Sequence, residues 1–104
     1  MIRVETWEIY IENNDIKEIK YLLEHNLINI NIPEKYNGWT PLIMSSYLNR
    51  IKIVELLLKH PDINIFLKNV WNKTALDYAK YFNYKEIKTL LINYNRKEKL
   101  KLLK

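Results

Sequence analysis

The 104 residues suit one domain, and a composition of 48% hydrophobic and 28% charged residues is that of a globular chain and not a disordered one. A single glycine excludes a phosphate-cradling P-loop and a GxGxxG dinucleotide turn; the lack of cysteine excludes a disulfide framework, a thiolate zinc site and a cysteine nucleophile. The net charge of +5 is localised, because residues 96–104 carry five bases and one acid whereas residues 1–95 hold twelve bases against eleven acids. A basic tail on a near-neutral body differs from a basic nucleic-acid-reading face. No apolar run approaches the length of a bilayer span, and the acids in MIRVETWEIYIENND (1–15) do not suit a signal peptide. A small soluble protein of the cytoplasm is expected. Ile, Lys, Asn and Tyr, encoded mainly by A/T-rich codons, make up nearly half the chain, which bears on its origin and not on its mechanism.

In chain order the sequence repeats. NDIKEIKYLLEHNLINI (14–30) overlays NRIKIVELLLKHPDINI (49–65) at a shift of 35, matching Asn14 to Asn49, Leu22 to Leu57 and His25 to His60. NGWTPLIMSSYLNR (37–50) overlays the following unit at a shift of 34, matching Thr40 to Thr74, Leu42 to Leu76, Tyr47 to Tyr81 and Asn49 to Asn83. Three units follow, at about 1–33, 34–67 and 68–95, with the tail at 96–104. Each reads as helix, turn, helix and extended excursion. Thr40 with Pro41, and Thr74 with Asp77, are helix starts. Asn14, Asn49 and Asn83 are left-handed stops, and IKIVELLL (51–58) is the clearest amphipathic run. Between units, Gly38 and Asn72 supply the positive φ of a hairpin-type tip.

This order of parts resembles the ankyrin repeat, on the strength of NGWTPL (37–42), NRIKIVELLL (49–58), INI (63–65) and NKTALDYA (72–79). The resemblance implies an all-α solenoid of three helix-turn-helix repeats with hairpin tips. Departures fall where an array would be capped. Lys85 and Lys88 replace Ile51 and Val54, expected to be buried, Glu18 replaces Ile53, and Trp7 and Tyr10 stand for Leu42 and Ser45. With Met1, these polar ends lead us to expect a finished array and not a piece of a longer scaffold.

Catalytic material is sparse. His25 and His60 recur without a third ligand type, Ser45 and Ser46 sit at packing positions, and Glu5, Glu8 and Glu12 read as a solvated helix face. An enzyme, a metal and a cofactor are not expected. In ankyrin-like arrays the tips and the solvent side of the first helices form a concave partner-binding surface. Carried over, that surface holds Tyr36, Asn37, Trp39 and Tyr47 from the second unit and Val70, Trp71, Lys73 and Tyr81 from the third, with Glu12 and Val4 from the first. Leu48 and Phe82 beside them are expected to pack. Trp and Tyr dominate binding hot spots. The resemblance therefore implies a monomeric interaction module that acts by occupying another protein, as an inhibitor or immunity-type protein, or as a host–pathogen adaptor or scaffold. The tail reads in two ways: a short helix covering the last unit, leucines down, or a basic arm for nucleic acid or an anionic membrane. The sequence favours the cap.

Overall fold

The computed structural model describes residues 6–103. Six helices run α1 (Thr6–Glu12), α2 (Ile16–Glu24), α3 (Pro41–Tyr47), α4 (Ile51–Leu58), α5 (Ala75–Tyr81) and α6 (Lys85–Leu102), with no strand among the described residues. The first helices of the units stack as α1, α3, α5 and the second as α2, α4, α6, giving an elongated body of 42 × 29 × 22 Å. The core runs between the two rows. Trp7, Ile11, Ile19, Leu22, Leu42, Ile43, Ile53, Leu57, Ile87 and Leu91 are all buried in it.

Helix starts follow their caps. Thr40 Oγ1 accepts from the Ile43 N–H at 3.2 Å with Pro41 in the first turn, and Thr74 and Asp77 form a reciprocal capping box. Helix ends follow the asparagines, since Asn14, Asn49 and Asn83 lie at φ 54°, 59° and 56°. Each next N–H reaches back five residues, Asp15 to Tyr10, Arg50 to Ser45 and Tyr84 to Ala79, at 2.7, 2.8 and 2.9 Å. These are left-handed closures that satisfy carbonyls the helix would otherwise leave unpaired. Asn26, at φ 52°, closes α2 in the same way, with Leu27 N–H on the Leu22 carbonyl.

Units are tied by equivalent residues. Arg50, which opens α4, donates to the Ile11 and Glu12 carbonyls at the end of α1 at 3.0 and 2.5 Å. Tyr84, which opens α6, donates from its hydroxyl to the Tyr47 carbonyl at the end of α3 at 3.3 Å. On the opposite edge the Asn31 amide donates to the Asp62 carbonyl and accepts from the Asn64 N–H at 2.8 and 2.9 Å.

The tips take their expected positive φ at Gly38 and Asn72, 72° and 62°. The second closes between the Glu34 N–H and the Trp39 carbonyl and the third between the Asn69 N–H and the Lys73 carbonyl, so the third is one residue shorter. That deletion turns the repeat shift of 35 into 34.

Two expectations fail. Ile51 is half-buried beside Val54, which is fully buried, because the α6 side chains alongside it, Lys85 and Glu86, stay in solvent and leave a shallow depression. The tail forms no leucine-down cap. It continues α6 to Leu102, and Leu100, Leu102 and Leu103 are exposed. No proline or left-handed residue interrupts the helix, and Asn93 and Asn95 both stay helical.

Candidate partner-binding groove

Aromatic side chains of the second and third units meet in one cluster. Tyr78 stacks on Trp39 with centroids 5.2 Å apart, and Tyr47 sets its edge against both, at 4.9 Å from Trp39 and 5.1 Å from Tyr78. Trp71 tilts onto Trp39 at 6.1 Å, while Phe82 meets Tyr47 edge-on at 5.2 Å and Tyr81 at 4.9 Å. Such offset and edge-on pairs are the favoured aromatic geometries and hold each other in place. They line an open groove of about 900 Å³ together with Lys73, Asp77 and Lys80.

The tip is fixed from beneath. Asn69 is buried; its carbonyl oxygen accepts from the Trp71 and Lys73 N–H groups at 3.0 and 3.1 Å, and its amide donates to the Tyr78 hydroxyl at 2.8 Å. Glu34 holds the corresponding place in the second tip. Its carboxylate accepts from the N–H groups of Tyr36, Asn37 and Trp39. The two tips join where the Val70 N–H donates to the Asn37 carbonyl at 3.0 Å.

Of the residues expected from the sequence, Trp39, Tyr47, Trp71, Lys73 and Tyr81 come together in the groove. Trp39 is half-buried in the cluster, whereas Trp71 and Tyr81 are 55% and 81% exposed. Tyr36 and Asn37 are not among its walls. The Tyr36 ring is exposed with the Lys35 ammonium 5.6 Å over it, and the Asn37 backbone makes the tip-to-tip link. Val70 is exposed outside the groove, Glu12 gives its carbonyl to Arg50, and Val4 lies outside the described residues. Leu48 packs, half-buried, as expected; Phe82 instead is exposed and lines the groove. Sequence reading missed Tyr78, Asp77 and Lys80, although Tyr78 with Tyr81 and Phe82 at i, i+3 and i+4 marks one helical face.

The Asp77 carboxyl is held below the usual aspartate range, chiefly by the Thr74 backbone N–H and then by the Thr74 hydroxyl and the nearby Lys73 and Lys80, against the opposing effect of burial. The ionised Asp77 therefore shares the rim of the groove with Lys73 and Lys80, one acid between two bases. Ser45 and Ser46 are fully buried away from the groove's walls, and the Ser45 hydroxyl donates to the Leu42 carbonyl at 3.2 Å. The histidines are engaged locally. His25 stacks on Tyr21 with Nδ1 2.9 Å from the Tyr21 carbonyl, and His60 Nδ1 accepts from the Asp62 N–H at 3.1 Å.

Residues 9–101 match the family model described as Ankyrin repeats, in three copies. The chain belongs to the ankyrin-repeat family. Ankyrin repeats are modules of protein–protein interaction, and this chain is one. Among curated relatives, it is 42% identical over 67 residues to the I-Kappa-B like protein G2 of Microplitis demolitor bracovirus (isolate Webb). That match covers 64% of this chain and 34% of the relative. It is also 42% identical over 50 residues to the human 2-5A-dependent ribonuclease, covering 48% of this chain and 7% of that one. The ankyrin-repeat chain thus spans about a third of one relative's length and under a tenth of the other's.

Proposed function

We propose that this ankyrin-repeat protein acts by occupancy in the cytoplasm, as an inhibitor or immunity-type protein that masks a partner's surface with the aromatic groove. The groove carries the reading: six aromatic side chains converge there, two of them more than half exposed, on a tip locked by Asn69. Rigid aromatics give up little entropy when they are covered, which is why Trp and Tyr anchors dominate interface energetics. The I-Kappa-B like relative supports the inhibitor form over the adaptor and scaffold forms. The ribonuclease match, at 7% of that protein, carries none of its activity across.

The test is capture of a stoichiometric protein from nuclease-treated lysate of the source organism by wild type and by Trp71→Ala/Tyr81→Ala, followed by assay of the captured protein free and bound. Capture by wild type alone, with the partner's activity suppressed in the complex, is the expected result. Equal capture by both proteins would remove the groove from the function.

A further inference from the structure

An exposed side of α6 carries a second surface. Lys85 and Lys88 hold the places of Ile51 and Val54, and from them the spacing 85, 88, 92, 96, 99, 103 follows one side of a helix. That stripe reads Lys85, Lys88, Ile92, Arg96, Lys99, Leu103: four bases, two apolar residues and no acid. Of the helix's acids, Glu98 pairs with Lys101 at 3.0 Å, while Glu86, with Glu55 of α4, borders the shallow depression that Lys85 also lines, so the acid-free part of the stripe runs from Lys88 to Leu103. Lys85, Arg96 and Lys99 are exposed, while Lys88 donates to Asn83 Oδ1 at 2.9 Å. Beside the bases, Leu100 and Leu103 are 58% and 81% exposed.

Solvation of an exposed helix face accounts for the lysines but not for the leucines. A hydrated polyanion such as nucleic acid attracts the bases and offers a leucine nothing. An anionic bilayer surface suits both, since phosphates meet the ammonium and guanidinium groups and the headgroup–acyl boundary takes short apolar side chains. The 18-residue helix is about 27 Å long, a geometry that can lie flat on a plane. No helix among the described residues is long and apolar enough to cross a membrane, so such contact is peripheral. We propose that the outer face of α6 docks this protein reversibly on anionic lipid bilayers, leaving the aromatic groove open to its partner.

The experiment is sedimentation of the full chain with phosphatidylcholine vesicles, with and without roughly a third phosphatidylserine, at low and high salt. Wild type is expected to sediment with the anionic vesicles only, and to be released by salt. Lys85→Glu/Arg96→Glu/Lys99→Glu, checked for native helicity by circular dichroism, should bind on the order of a hundred-fold more weakly. Leu100→Ser/Leu103→Ser should weaken binding with all charges intact, and Trp71→Ala/Tyr81→Ala should bind like wild type. Wild type left in the supernatant with anionic vesicles overturns the proposal. So does a leucine variant that binds vesicles as wild type does, because the surface is then a general polyanion site; duplex DNA binding of equal strength would confirm that alternative.

Discussion

The side-chain amide of Asn69 donates to the Tyr78 hydroxyl at 2.8 Å while its oxygen holds the Trp71 and Lys73 N–H groups, so one buried residue fixes both the floor and the rim of the groove. Replacing it with alanine strands two backbone donors and a phenol. Asn69→Ala should cost about 2–3 kcal/mol in urea unfolding and weaken partner capture as well. A stability unchanged within error would show that the tip does not depend on this residue.

The left-handed helix stops make a sharper prediction. At Asn49, φ 59°, alanine meets the Cβ–carbonyl clash and glycine does not. Asn49→Ala should lower stability by about 1 kcal/mol, and Asn49→Gly should be neutral or slightly stabilising. Equal effects of the two substitutions in thermal melts would mean that side-chain bonding, and not backbone conformation, selects asparagine.

These stops show which parts of the fold were legible in the sequence. Left-handed φ is a restriction that few residue types meet, so Asn14, Asn49 and Asn83 announce themselves, as do Thr40 with Pro41 and Thr74 with Asp77. The tip anchors do not, because a carboxylate at Glu34 and an amide at Asn69 do one job with different chemistry, across the point where the repeat shift changes. The tail departs from the expected leucine-down cap for a physical reason: no proline or left-handed residue separates it from α6, so it continues that helix and its leucines follow the helical register into solvent. For the groove, exposed aromatics were found. Tyr78 was not, because its contribution depends on stacking with Trp39, which no one-dimensional pattern displays.

The two tryptophans should separate under mutation. Trp39 is half-buried and packed against three aromatic rings, so Trp39→Ala should cost about 3 kcal/mol of stability. Trp71 is 55% exposed, and Trp71→Ala should stay within about 0.5 kcal/mol of wild type. Its effect should fall on binding instead, at about 2 kcal/mol if it is an anchor. Paired denaturation and affinity measurements decide; a destabilised Trp71→Ala would make that side chain structural.

Acid should loosen the start of α5. The Asp77 carboxyl titrates below its unfolded value, so its contribution is complete above the ordinary aspartate range of about pH 4. It is lost as pH falls through the depressed folded value. Asp77→Asn should melt at a lower temperature than wild type at neutral pH, with the gap closing in acid. The absence of any gap at neutral pH would assign the cap to Thr74 alone.

The tip that is one residue short bears on how such a site could spread. Trp39 and Trp71 are not repeat equivalents; Lys73 and Asn37 hold the matching places, and the indoles meet diagonally across a single junction. Duplicating the second or third unit would therefore extend the solenoid without copying the groove. Among the described residues the groove forms once, at the junction of the second and third units, so a partner that occupied it would be expected to bind once however many repeats flank that junction.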